Sequence, residues 1–540
     1  MFNKSKHRAK TPLLQLLMRA LRISRQSRLS GIPASELYAM QQEEAVVAQN
    51  TFSRRQFIRN TAMAAVALGA GGLMSSCDKD DAQSLDYSRK ITIVGGGMAG
   101  LHAAYILQKS GIGSTIYESS SRAGGRMYTA KNLMGDGFVT ELGGEFIDST
   151  HEDMLNLADE FGLTLLDTLS ASETALIKDA YFFEGQHYSL QEVITAFDAI
   201  APQMSADIDS LPDFISYADP GTATNFDNLS ISAYLASLGV SGWLRSLLEA
   251  AYITEYGLEA DVQSCINMLY LISTDVSAGT FDIYGESDER YKIEGGNQQI
   301  TDKLADKLSE QIHFEHKLTA IKQNANGNYT LTFDNGGSTT DIVSEFVIMT
   351  IPFTILRELD ISQAGFSTKK MQAINELGYG TNAKLFLGFN SKPWRDAGYT
   401  GYLFTDEIIQ SGWDNTQLQN VQGGSYTVYL GGNQGVSVGD GTPASQADIY
   451  LPKLNSIFTG MTTAFNSKTE RFHWPTFSHA KGSYACYKTG QWTSIAGAEQ
   501  ETSGKMFFAG EHCSFDYQGY MNGAAETGRV AAEAILNFIG

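Results

Sequence analysis

The chain has 540 residues, 43% of them hydrophobic and 11% aromatic, too many for one simple core and enough for two folded units with extra segments. Its 39 Lys and Arg face 60 Asp and Glu, a formal charge of −21, which argues against a nucleic-acid partner and leaves a cationic small molecule open. Four cysteines are too few for a disulfide scaffold, and no metal site is expected.

The first 76 residues hold 11 Lys and Arg and only three acids, so the remainder carries −29. Ser53 to Ile58 reads SRRQFI, followed closely by TAMAAVALGAGGLMSSC. A twin arginine before a short, weakly apolar run resembles a twin-arginine export signal, and the run is too short and Gly-rich for a good membrane span. Small residues before Cys77 resemble a lipoprotein processing box, so 1–76 is expected to be an export signal and 77–87 a linker. A lipid on Cys77 would then tie the chain to a membrane in the periplasm or at the cell surface. Cys265, Cys486 and Cys513 would remain, permitting at most one internal disulfide. The route carries folded proteins, often with a cofactor already loaded.

Lys90 to Gly100 reads KITIVGGGMAG, a β-branched strand running into a helix through Gly95, Gly97 and Gly100. The first glycine allows a tight turn, the second lets backbone approach a pyrophosphate, and the third lets helix pack on strand. A second strand, STIYE, delivers Glu118, placed to accept the hydroxyls of a ribose. Next come SRAGGR, with Arg122 and Arg126 in reach of phosphates and backbone amides at Gly124 and Gly125, and ELGGEFID, which holds Glu145. The stretch 229–253 has helical periodicity, and LTAIKQNANGNYTLTF reads as a hairpin about an Asn-Gly turn. Near the C-terminus MFFAG is a buried strand delivering Glu511. A helix is expected to begin near Tyr520 and Met521, with Gly523, Ala524 and Ala525 in its first turns. Small residues there admit a flat ring to the positive end of the helix. That feature suits FAD and has no use in a nicotinamide enzyme.

Six motifs in order, IVGGGMAG, SRAGGR, ELGGEF, KIEGGNQQI, AKLFLGFNSKPW and FFAGEH…GYMNGA, resemble the flavin-containing amine oxidase family of monoamine, polyamine and L-amino-acid oxidases. The resemblance implies an α/β fold with an FAD-binding, Rossmann-like domain (88–155, 288–372 and 478–540) interleaved with an α+β substrate-binding domain (156–287 and 373–477). It implies that Lys384, ten residues before Trp394, holds a water near the flavin. Counting from Trp474 along the family pattern gives Gly482, then Ser483 at the position that links flavin covalently in monoamine oxidases, then Tyr484. FAD is therefore expected to be noncovalent, with Cys486 a buried thiol. Tyr484 and Tyr520 would form an aromatic cage for a neutral amine. The implied reaction is oxidation of an amine to an imine, with oxygen as acceptor and hydrogen peroxide as product. An L-amino-acid oxidase is the alternative, followed by a flavin desaturase or a non-catalytic surface flavoprotein. ELGGEFIDSTH lacks the arginine that clamps an α-carboxylate in L-amino-acid oxidases, so Glu145 is expected to attract a second substrate ammonium instead.

Overall fold

The structure, a computed structural model, describes residues 85–539. The twin-arginine segment, Cys77 and most of the 77–87 linker lie outside them. A five-stranded parallel sheet runs in the order Met506–Phe508, Phe346–Met349, Ile91–Val94, Thr115–Tyr117, Ile312–His313. Its two central strands, Ile91–Val94 and Phe346–Met349, are short, largely apolar and buried throughout, as parallel strands covered on both faces require. Helices Met98–Lys109 and Met521–Ile539 pack together beside it. They touch backbone to backbone, since a Cβ on Gly528 would lie 2.2 Å from the Ala99 carbonyl oxygen.

The expected hairpin forms from Lys317–Gln323 and Tyr329–Asp334. Tyr329, Leu331 and Phe333 alternate inward, the period of a half-buried strand. The stretch 229–253 is helical, as its periodicity reads, in two pieces. It is split into Ile231–Ser237 and Gly242–Tyr256 because Gly239 and Gly242 take φ of +73° and +61°, which no helix interior accommodates.

A seven-stranded sheet, drawn from 177–188 and 383–473, makes the second layer system. Its order is Phe465–His473, Ala383–Phe389, Gly424–Leu430, Ser411–Asp414, Tyr399–Thr405, Ile177–Phe183, Gln186–Tyr188. Ala383–Phe389 is paired on both edges and buried along its whole length, so the Lys384 side chain has no route to bulk solvent along its strand. Among the described residues no helix is long and apolar enough to cross a membrane. The three described cysteines are free and buried.

Candidate active site

One continuous cavity runs from the glycine loops to the faces of the large sheet, so the loop end and the aromatic end belong to a single space. At the loop end it is lined by Gly95, Gly97, Glu118, Arg122, Gly124, Gly125 and Arg126. A Cβ on Gly100 would sit 2.0 Å from the Gly95 carbonyl oxygen, and one on Gly125, where φ is +55°, would come 3.2 Å from the Gly97 Cα. The two loops are sewn together by the Gly124 amide donating to the Gly96 carbonyl at 2.8 Å. No side chain caps the helix at Gly97, leaving first-turn amides for an anion.

Glu118 lies just past its strand and accepts from the Gly96 and Ser120 amides at 2.7 and 2.8 Å. Arg122 spends its donors on the carbonyls of Ala123, Met127 and Gly125 and stacks on Tyr128, 3.8 Å from the ring centroid; it staples the loop. Arg126 donates to Glu511 at 2.8 Å and to the Ser483 carbonyl at 2.7 Å. Glu511 also accepts from the Gly519 amide at 3.0 Å, tying the loop before the last helix to the glycine loops. Met521 and Ala524 line the cavity where that helix begins. Uncapped amides, a carboxylate at the second strand's end and glycines that a Cβ would clog fit FAD.

Lys384 lines the cavity and donates to Glu145 Oε2 at 3.0 Å and to the carbonyls of Glu141 and Gly143 at 3.0 and 2.9 Å. All three ammonium hydrogens are thus engaged. Glu145 corrects an expectation: it lines the cavity, but its carboxylate is not free for a substrate cation. Its other oxygen, Oε1, accepts from Lys292 at 3.2 Å. Burial works to raise the Glu145 pKa, and the two lysines outweigh it, leaving the carboxyl below its usual value. The neighbouring Glu141 has no such pair, and burial pushes it up to about 7.

Tyr484 and Tyr520 both face the cavity. The Tyr484 hydroxyl meets that of Tyr429 at 2.7 Å, and the Tyr520 hydroxyl donates to Glu255 at 2.8 Å. Ser483 lines the cavity and Cys486 does not. Cys486 is fully buried beside Asn267, 3.6 Å from Nδ2, and burial raises its thiol pKa far above the ordinary range.

Three carboxyls of the cavity were not singled out from sequence: Asp148, Glu255 and Glu289. Burial is the largest cause in each case, pushing Asp148 up to about 6, Glu255 to about 7 and Glu289 to about 8, the last against the pull of Lys178 and with the charges of Glu255 and Asp148 adding to the rise. Glu289 sits at φ +48°, a strained conformation for a side-chain-bearing residue. Tyr402 donates to it at 3.3 Å. Among the described residues neither Glu255 nor Glu289 has a lysine or arginine within salt-bridge distance. Tyr284, Tyr402, Tyr429 and Trp413 complete an aromatic wall.

The parallel sheet, the glycine cradle and a buried lysine beside an aromatic chamber define a flavoprotein oxidoreductase. The chain belongs to the flavin containing amine oxidoreductase family, whose profile matches residues 98–536, and is an FAD-dependent enzyme acting on amines. It is 22% identical over 522 residues to pseudooxynicotine dehydrogenase of a Pseudomonas species, covering 93% of this chain and 99% of that one. It is 23% identical to human flavin-containing amine oxidase B (83% and 86%) and 25% identical to a flavin-dependent L-tryptophan oxidase of Lentzea aerocolonigenes (83% and 98%). The solved putrescine oxidase bound to putrescine superposes with a TM-score of 0.71 at 19% identity, covering 83% of this chain and 99% of that one.

Proposed function

We propose that this chain is an amine oxidase with noncovalent FAD and oxygen as acceptor, and that it prefers diamines or longer polyamines to α-amino acids. The observation that carries the preference is the aromatic chamber in which Glu255 and Glu289 stand with no lysine or arginine within salt-bridge distance among the described residues. Buried carboxyls in that state bind a cation far better than an anion. The basic residues lining the cavity are Arg122, Arg126, Lys384 and His479. Both arginines belong to the dinucleotide end, so no guanidinium is free to clamp an α-carboxylate.

For a primary amine, substrate, oxygen and water become aldehyde, ammonia and hydrogen peroxide. FAD supplies the hydride-accepting centre and passes the two electrons on. The chain's part is placement. Tyr484 and Tyr520 flank the reacting amine and exclude water, while Glu255 and Glu289 draw a distal ammonium. Lys384, with every donor engaged, presents a fixed positive charge to the cavity and holds a water only by exchanging one of its carbonyl bonds. Ser483 at the linking position and Cys486 away from the cavity support noncovalent FAD: acid precipitation should release all the yellow colour, and a flavin peptide containing Cys486 would refute this.

The test of substrate class is a panel of monoamines, diamines and L-amino acids, with peroxide and a dye acceptor followed in parallel. Oxidation of L-amino acids alone would replace this reading with an L-amino-acid oxidase. Reduction of the dye without peroxide would make the enzyme a dehydrogenase. We further propose twin-arginine export and lipid anchoring at Cys77, both on residues outside the described structure. The Cys77→Ala protein should leave the membrane fraction, and an unchanged distribution would exclude the anchor.

A further inference from the structure

We propose that Lys292 is a positioning residue for Lys384, acting through Glu145, and that the three together keep an uncompensated positive charge on the cavity wall. The proposal deepens the reading of this cavity as an amine-oxidising site. Glu145, Lys292 and Lys384 are each no more than 5% exposed. Glu145 lends one oxygen to each lysine, Oε2 to Lys384 at 3.0 Å and Oε1 to Lys292 at 3.2 Å. Lys384 reaches the cavity and Lys292 does not, so Lys292 touches neither substrate nor cofactor.

The linkage is anchored at both ends. Lys292 also donates to the Asn415 carbonyl at 3.3 Å, and the Asn415 side chain is held by Ser425 and Thr427 at 3.1 and 3.0 Å. The backbone of Glu145 is held by the Asn297 amide group, which donates to its carbonyl at 2.7 Å. A carboxylate pulled from two sides cannot rotate without breaking one pair, and that fixes the Lys384 ammonium. A lone Glu145–Lys384 pair would be neutral. Two lysines on one carboxylate leave a net positive charge while Glu141 keeps its proton, up to about pH 7, and only Lys384 presents it to the cavity.

Lys384 faces Glu141 and Glu145 from the 141–145 loop, Lys292 behind Glu145, and Tyr429 from the neighbouring strand. Glu255 and Glu289 share the same cavity. Removing a positive neighbour of an ammonium makes its proton harder to lose, and removing a negative one makes it easier.

The experiment measures the pH profile of the oxygen-consuming step, isolated by rapid mixing, in FAD-loaded wild type, Lys292→Met, Glu145→Gln and Lys384→Met. The limb lost in Lys384→Met should move up by about one pH unit in Lys292→Met and down by at least as much in Glu145→Gln. Lys292→Met should slow the oxygen step about tenfold, and more than it slows the amine step. Lys292→Arg, which keeps the charge, should restore the wild-type profile. Melting temperatures give a readout independent of turnover. Glu145→Gln leaves two buried ammoniums unpaired and should melt lowest, and adding Lys292→Met should recover part of that loss. Shifts in the same direction, a limb that survives in Lys384→Met, or strictly additive melting changes would overturn the proposal. If wild type oxidises no amine, the functional reading fails while the melting cycle still decides the network.

Discussion

Glu255 closes the last turn of the helix Gly242–Tyr256, and Glu289 sits two residues before the strand Tyr291–Ile293. They meet only because the fold brings those segments to one cavity, so neither stands out among 60 acids in the sequence. Glu145 did stand out, beside ELGG, yet the two lysines that claim it lie 147 and 239 residues further on, a separation that spacing cannot reveal. Burial holds Glu255 near 7 and Glu289 near 8, so as pH rises from 6 to 8 Glu255 ionises and Glu289 becomes about half ionised. The KM for a diamine should therefore fall through that range, ahead of any loss of the substrate's own charge. Glu255→Gln should raise that KM about tenfold, several times more than for a monoamine, and flatten its pH dependence. Equal effects on both substrates would remove Glu255 from the distal subsite. Lys384→Met should keep FAD bound and slow turnover by roughly ten to a thousandfold; unchanged steady-state rates would take Lys384 out of the mechanism.

Elements were legible where the local pattern and the tertiary environment agree. The hairpin about Asn326-Gly327 combines alternation with a turn dipeptide, and Gly327 takes φ +82°, so sequence and structure coincide. The stretch 229–253 is helical as its spacing reads, but in two pieces, because apolar spacing carries through Gly239 although the helical backbone does not. Glycine in a periodic stretch reads equally as a tolerated interruption or as a stop. In the cofactor loop the ambiguity disappears, because Gly100 lies against the Gly95 carbonyl and neither backbone has room to move. Gly100→Ala should lower FAD retention and destabilise the protein by about 1–3 kcal/mol, read as lost flavin absorbance per mole of chain and a lower melting temperature. Full FAD content at an unchanged melting temperature would show that the strand-to-helix contact is looser than the 2.0 Å clearance implies.

At the scale of the molecule, the parallel sheet takes strands from residues 91–117, 312–349 and 506–508, so motifs more than 400 residues apart in sequence line one cavity. Their order along the chain was readable; which buried charges would end up facing one another was not. That unread part sets the pH dependence of stability. Glu141, Glu255 and Glu289 keep protons to about 7, 7 and 8 in the folded chain, whereas in the unfolded chain they release them near the ordinary glutamate value of about 4.3. Between pH 6.5 and 8.0 the native state therefore binds more protons than the unfolded one, and stability must fall as pH rises. The buried histidines His102, His151 and His512, all held below their usual pKa, are about half protonated in the unfolded chain at pH 6.5, so they oppose the slope at the lower edge without reversing it and drop out above pH 7. Lys370, lowered to about 8, opposes it only at the upper edge. A diamine binds the ionised carboxyls and should offset the loss. Under anaerobic conditions the melting temperature of the holoenzyme should drop from pH 6.5 to 8.0, and saturating diamine should raise it more at 8.0 than at 6.5. In the Glu255→Gln, Glu289→Gln double variant the drop should shrink and the diamine effect disappear. A wild-type melting temperature that stays level or climbs over this interval, with no response to diamine, would mean that these carboxyls are already paired and that the chamber has no place for a second ammonium.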